Sequence, residues 1–256
     1  MAAPSGTLYL VPNTLDFGTP EPLPPLDDVL PASVIRTAAR LSHWVAENAK
    51  TTRAFLKRVD AVVPLAQPLQ ALAIVELPRP RKGAPAPATT VDLAPLLAPA
   101  FEGHDIGLIS EAGMPAVADP GAALVRAAHT AGVKVVPLVG PSSLLLALAA
   151  SGLNGQSFAF AGYLPAEAAA RTIRLRELEA ASRRAGQTQL MIETPYRNTA
   201  LVEALVAQLA PSTQLSVSCG LTLSGGFTRT DAVAAWRSRP TALPADIPAI
   251  FAFLAA

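Results

Sequence analysis

Ile106-Gly-Leu-Ile-Ser-Glu-Ala-Gly-Met-Pro-Ala-Val-Ala-Asp-Pro-Gly121 is the stretch that decides the fold. It opens as a short apolar strand, Gly107–Ile109, and breaks at Gly113, Pro115, Pro120 and Gly121. A helix restarts at about Ala122, with the amphipathic run Leu124–His129, and the apolar strand Val133–Pro137 follows. The unit is strand–loop–helix–strand, with the loop at the carboxyl end of a strand, the edge where open α/β sheets bind ligands. Two glycines and few bulky side chains let a ligand approach this backbone closely. Asp119, before Pro120-Gly121, is placed to cap the next helix. Read locally, the loop is a ligand cradle or a tight βα turn.

Outward from this stretch, β and α signals alternate along the chain. Thr7–Val11 reads as a first, central strand ended by Pro12-Asn13. Val34–Ala39 reads as a helix and Ser42–Ala46 as a strand, and a helix after Glu47 buries Phe55 and Leu56 with Lys50 and Arg53 outward. Ala71–Glu76 reads as a strand and Val91–Phe101 as a helix, separated by a Pro-rich segment carrying Arg79, Arg81 and Lys82. Val133–Pro137 ends in the tight turn Gly140-Pro-Ser-Ser143, where Leu144–Ala149 begins a helix whose free N–H groups attract polar ligands. Ser157–Pro165 alternates as a strand. Arg171–Arg184 reads as an Arg-rich helix, either a salt-bridged face or a phosphate contact. Thr188–Ile192 is a strand running into Glu193-Thr-Pro-Tyr-Arg197, where a carboxylate could accept from a ribose hydroxyl or an amine, or cap the next helix. Leu215–Gly226 carries an apolar strand and a glycine turn, and Ile247–Leu254 is the last strand.

Composition sets the class. The 256 residues are 51% hydrophobic and 15% charged, enough to bury a large core in one or two domains. Twenty Lys plus Arg against 19 Asp plus Glu give a net charge of +1, so no global field draws the chain to nucleic acid or membrane. One cysteine excludes an internal disulfide framework and fits a reducing compartment. The N-terminus lacks a signal-peptide pattern. The apolar run Val133–Ala150 is broken by Pro137, Gly140, Pro141, Ser142 and Ser143, which reads as strand–turn–helix rather than a membrane span. A cytoplasmic, soluble protein is expected. The 25 prolines concentrate in residues 19–31 and 78–99, which read as irregular connections. No phosphate-binding P-loop, dinucleotide G-x-G-x-x-G, zinc spacing or repeat occurs, and His43, His104 and His129 are scattered. No metal site is expected.

Ser110–Gly121 resembles the S-D-A-G-x-P-x-x-x-D-P-G signature of the tetrapyrrole methylase superfamily, nearest the branch that methylates a ribose 2′-hydroxyl in small-subunit ribosomal RNA. Val136–Ser143 resembles its V-P-L-P-G-P-x-x motif, Phe158–Pro165 its F-x-x-x-G-F-L-P run, and Ile192–Arg197 its Y-E-[SA]-P-H-R motif. The chain departs where the RNA branch has P-I-G-N-L (here Pro12-Asn-Thr-Leu-Asp-Phe-Gly18), E-D-T-R-x-T (Glu47-Asn-Ala-Lys-Thr-Thr52) and A-R-E-L-T-K. In the last of these, Cys219, Gly220 and Leu223 stand for the Arg, Glu and Lys.

The resemblance implies S-adenosylmethionine in a cleft between two α/β domains, with S-adenosylhomocysteine as product, and a homodimer. The expected architecture is an N-terminal α/β domain over 1–139 and a C-terminal one over 140–256, each a mixed or parallel sheet flanked by helices. The resemblance points to Pro12, Asn13, Ser110, Glu111, Ala112, Gly113, Met114, Asp119, Gly140, Pro141, Ser142, Ser143, Tyr163, Thr194, Leu221 and Thr222 as cofactor-binding residues. Glu47 and Glu193 are the candidate catalytic carboxylates, because a general base helps where the acceptor must lose a proton. The expected acceptor is ribosomal RNA, with a tetrapyrrole or other small molecule as the alternative, and a catalytically lapsed cofactor-binding module as the rival to any enzyme.

Overall fold

The alternation read from the sequence resolves into two five-stranded sheets in a computed structural model that describes residues 6–16, 19, 22–78 and 92–256. The chain divides into two units that change over between Pro141 and Ser142, with Thr19, Pro22 and Leu23 grouped with the second. The basic cluster Arg79, Arg81 and Lys82 lies outside the described residues.

Unit 1 runs β1 (Thr7–Leu10), α1 (Leu26–Val29), α2 (Ala32–Arg40), β2 (His43–Ala46), α3 (Ala49–Val62), β3 (Ala73–Glu76), α4 (Ala98–Phe101), β4 (Ile106–Ile109), α5 (Ala122–Thr130) and β5 (Lys134–Pro137). The sheet order is β3-β2-β4-β1-β5, and every pairing is parallel. A central parallel strand is covered on both faces, which is why all four residues of β4 are apolar or glycine and buried. Trp44 of β2 sits opposite Gly107 of β4, and a Cβ on Gly107 would lie 2.7 Å from the Trp44 ring. The glycine therefore makes room for the largest side chain of the sheet.

Unit 2 runs α6 (Ser143–Ser151), β6 (Phe158–Tyr163), α7 (Ala168–Ala185), β7 (Thr188–Ile192), α8 (Asn198–Gln208), β8 (Gln214–Cys219), β9 (Phe227–Ala232), α9 (Val233–Ser238) and β10 (Ala249–Leu254). Its sheet, β6-β7-β10-β8-β9, is parallel only between β6 and β7 and antiparallel elsewhere. Phe251, Phe253, Trp236, Leu215 and Val217 centre its larger core.

Several local expectations are corrected. Asp119 does not cap α5: the N-cap is Gly121, with no side-chain bond. The helix expected over 91–101 is a 3-10 turn, Ala94–Leu97, followed by the four-residue α4, because Pro95 and Pro99 cannot donate to a continuous ladder. Residue 91 lies outside the described residues. Ser142 is the N-cap of α6 but makes no side-chain bond there. The last strand begins at Ala249, after Pro248, rather than at Ile247. The helix expected after Glu193–Arg197 is α8, and β9 and α9 were not anticipated.

Candidate functional site

In unit 1 the loop after β4 is built by hydrogen bonds from three other segments. Asn13 Nδ2 donates to the carbonyls of Ser110 (3.2 Å) and Glu111 (3.0 Å). Asn13 N–H donates to Gly113 O at 2.9 Å, and Gly113 N–H returns a bond to Thr14 O at 3.2 Å. Glu47 N–H donates to Ile109 O, and Glu47 Oε2 accepts from Glu111 N–H at 3.0 Å. Asn48 does two things at once. Its Oδ1 accepts from Lys50 N–H as the N-cap of α3, and its Nδ2 donates to Glu111 Oε1 at 2.8 Å. Arg58 of α3 holds the incoming β1 loop through Asp16 at 3.0 Å and Thr14 at 3.2 Å.

The loop is also sterically exacting. Gly113 takes φ +64, and Ala116 and Ala118 take φ 66 and 64, a left-handed conformation that costs of order 1 kcal/mol or more per non-glycine residue. A Cβ on Gly140 would overlap the Pro12 ring, and a Cβ on Gly113 would lie 3.4 Å from Pro141 O. Pro12, Asn13, Ser110–Met114, Gly140 and Pro141 thus converge on one edge of the unit 1 sheet. Ser110 Oγ is buried with no hydrogen-bond partner among the described residues, an orphan at the carboxyl end of β4.

Three carboxylates meet beside this loop. Burial, and then the charges of Glu47 and Glu111, push the Asp119 carboxyl up to about 7. Pro120 and Gly121, with Glu47, Leu77 and Arg126, border a largely apolar cavity of about 820 Å³.

Unit 2 holds the other predicted residues. Glu193 is almost fully buried at the end of β7, where its Oε1 accepts from Arg197 Nη2 (2.6 Å), Thr194 N–H (2.8 Å) and Thr194 Oγ1 (3.3 Å). That bond raises the Arg197 guanidinium above its ordinary value. Tyr163 and Tyr196 are exposed, and the Arg197 guanidinium lies 5.9 Å from the Tyr196 ring centroid. Among the described residues Arg197 Nε and Asn198 Oδ1 are buried without partners. Leu221 packs against the small core formed by Leu144, Ala147 and Leu148 of α6 with Leu190, Ile250 and Ala252 of the sheet. Thr222 takes φ 71 in the turn after β8. Cys219 is buried in the core, and burial pushes its thiol up, so it is not a nucleophile. Among the described residues no group of three or more His, Cys, Asp or Glu is arranged to hold a metal, and no helix is long and apolar enough to cross a membrane.

Sequence reasoning read Asn48 only as a departure from Asp and missed its bond to Glu111. Asn immediately before a helix was the available signal. Thr14, Asp16 and Arg58 gave no local signal, because α3 and the β1 loop meet only in three dimensions.

Comparison with known proteins follows the same lines. The chain is 39% identical over 127 residues to "Ribosomal RNA small subunit methyltransferase I" of Escherichia coli O157:H7, covering 50% of this chain and 43% of that protein. It is 32% identical over 192 residues to the protein of the same name in Halalkalibacterium halodurans, covering 75% of this chain and 56% of that one. The chain thus spans about half the length of the curated relatives it matches. Among solved structures, the methyltransferase CobJ superposes with a TM-score of 0.55 at 17% identity, over 98% of this chain and 95% of that one, which shows a shared fold. Residues 34–225 match the family described as Tetrapyrrole (Corrin/Porphyrin) Methylases, and the chain belongs to that family.

Proposed function

We propose that the chain is an S-adenosylmethionine-dependent methyltransferase acting in the cytoplasm on a ribose 2′-hydroxyl of small-subunit ribosomal RNA. The observation that carries this reading is the unit 1 loop: a glycine-lined backbone, pinned from β1, β2 and α3, around the orphan Ser110 hydroxyl. A cradle that a Cβ would fill, with an unsatisfied buried hydroxyl, fits a nucleoside thioether. Family membership and the names of the relatives support both the cofactor and the acceptor.

When bound, the cofactor supplies a methyl group already activated on a sulfonium, so the protein's work is alignment. Asn13, Gly113, Gly140 and Pro141 would hold the cofactor in unit 1, and Ser143, Tyr163, Thr194, Leu221 and Thr222 are its candidate contacts in unit 2. Glu47 holds Glu111 N–H and, with Glu111, raises the proton affinity of Asp119. A carboxylate poised near neutrality can receive the proton that a hydroxyl acceptor loses. Glu193, tied to Arg197, remains the candidate carboxylate of unit 2.

A homodimer is part of the same reading. Leu145 and Leu146 of α6, and Phe158 and Phe160 of β6, are exposed, and a helix apolar all round is normally covered. The test is methyl transfer from labelled S-adenosylmethionine to isolated small ribosomal subunits. Label in the 2′-O-methyl nucleosides of the RNA is expected. Label in a porphyrin pool and none in RNA would replace the acceptor with a tetrapyrrole.

A further inference from the structure

The Arg-rich helix read from the sequence takes a form in the structure that its composition conceals. Five arginines (171, 174, 176, 183 and 184) stand against Glu177 and Glu179 within the 18 residues of α7. Glu179 does not serve the surface. It is buried, and its Oε1 accepts from Ala210 N–H at 2.8 Å and Thr213 Oγ1 at 2.5 Å, closing the turn before β8. Glu177 pairs with Arg174 at 3.0 Å. Arg171 donates to the internal carbonyl of Ala166, and Arg183 Nε donates to Ala256 O at 2.8 Å. Arg176, Arg183 and Arg184 are exposed and pair with no Asp or Glu among the described residues. Arg176 and Arg183 are seven residues apart and so share one line along the helix, and the three span ~12 Å at 1.5 Å per residue.

We propose that Arg176, Arg183 and Arg184 form a docking stripe for the phosphate backbone of RNA. The inward turn of Glu179 removes one of the helix's two carboxylates from the surface and leaves this face cationic. The chain as a whole carries a charge of only +1, so this is local recognition, not global attraction. Guanidinium groups match phosphate geometry and contact it without reading sequence. The choice of RNA over another polyanion rests on the acceptor proposed above.

The test is the salt dependence of binding to a single-stranded RNA of about 20 nucleotides, measured from about 50 to 200 mM salt, where each phosphate contact contributes about 0.7 to the slope. The triple variant R176Q/R183Q/R184Q is expected to flatten the slope by about 2 and to bind roughly tenfold more weakly at low salt. A control triple of exposed cations in unit 1, R36Q/K57Q/K134Q, is expected to keep the wild-type slope. R176Q alone, which removes one exposed side chain, is expected to flatten it by about 0.7 and keeps the test open if the triple variant does not fold. Equal slopes in wild type and variants, or equal losses in the control, would overturn the proposal. So would tighter binding to phosphatidylserine vesicles than to RNA, governed by the same three arginines. Calorimetry with S-adenosylhomocysteine on the same variants separates the two claims. Unchanged cofactor affinity with a flattened slope supports both. Absent cofactor binding with a flattened slope removes the methyltransferase reading and leaves the stripe.

Discussion

The two units present strand ends of the same general kind and secure them by different means. Unit 1, wholly parallel, ties its β4 loop with at least five hydrogen bonds from β1, β2 and α3, mostly between backbone and amide or carboxylate groups. Unit 2, mostly antiparallel, ties its β7 corner with the half-buried ion pair Glu193–Arg197, two bonds from Thr194 to Glu193 and one from Asn198 Nδ2 to Ile247 O. Arg197 Nε and Asn198 Oδ1 have no partner among the described residues. A loop pinned from several other segments is rigid before any ligand arrives, whereas a corner with buried orphan polar atoms keeps bonding capacity in reserve. The contrast makes the β4 loop of unit 1 pre-formed and the β7 corner of unit 2 adaptable.

The largest expected effect tests whether the units are separable at all. Trp44→Ala in unit 1 and Trp236→Ala in unit 2 each empty a fully buried position and should cost about 3–5 kcal/mol. If each unit unfolds as its own cooperative block, calorimetry will show only the mutated unit's transition moving. A single transition shifted alike by both variants would merge the two halves of the comparison.

Next comes the pinning itself. Asn13→Ala removes two donors from the β4 loop and leaves two carbonyls unpaired, at about 1–3 kcal/mol. Cofactor affinity should fall roughly 5- to 150-fold, the equivalent of that energy. Arg197→Gln in unit 2 should weaken cofactor binding less. Titration calorimetry on both variants decides the order, and a larger loss from Arg197→Gln would reverse the assignment.

The carboxylate cluster predicts a pH signature confined to unit 1. The Asp119 carboxyl is raised from 3.8 to about 7, so the folded state holds a proton that the unfolded chain has already released. Stability should therefore be fully present below about pH 4 and decline as pH rises through 7, and Asp119→Asn should abolish that decline. After discounting for solvent screening, the gain in the variant at pH 8 is about 1 kcal/mol. Denaturant midpoints at pH 5 and pH 8 measure it. If Asp119 takes the acceptor's proton, the rising limb of activity near pH 7 should also vanish in this variant.

The smallest effect lies at the opposite strand edge of unit 1. His43 and His104 stack with centroids 4.7 Å apart, and burial, then the charge of His104, lowers the His43 imidazole below its usual 6.5. A base disfavoured in its charged form loses stability as pH falls below 6.5, and His43→Gln should flatten that loss. Both rings are partly solvated, so a few tenths of a kcal/mol is expected, readable from thermal midpoints between pH 5 and 7.

How far the sequence revealed all this varies with the kind of interaction. The β4 loop was legible because glycine and proline leave a local signature, and β4 itself because a parallel central strand is continuously apolar. The helix over Asn198–Gln208 was expected only as the helix Glu193 could cap, although its buried positions 198, 201, 202 and 205 keep a helical period. The strand Phe227–Ala232 was not legible, since it reads Phe-Thr-Arg-Thr-Asp-Ala, polar on both faces. Asn48 is instructive. As a departure from an acidic motif it read as a loss, yet an aspartate could not donate to Glu111, and the amide both caps α3 and quiets a like-charge contact. Glu179 misled in the opposite sense, because its spacing fits a surface ion pair while its partners lie more than thirty residues away. Such long-range partners are invisible to any local pattern.

The proposed cofactor contacts, a pre-ordered loop in unit 1 and a less constrained corner in unit 2, are tested most directly by amide hydrogen exchange with and without S-adenosylhomocysteine. The account predicts strong protection over 192–198 and 220–226, and a smaller gain over 110–121, which is already ordered. Unchanged exchange in all three segments at millimolar ligand would contradict it.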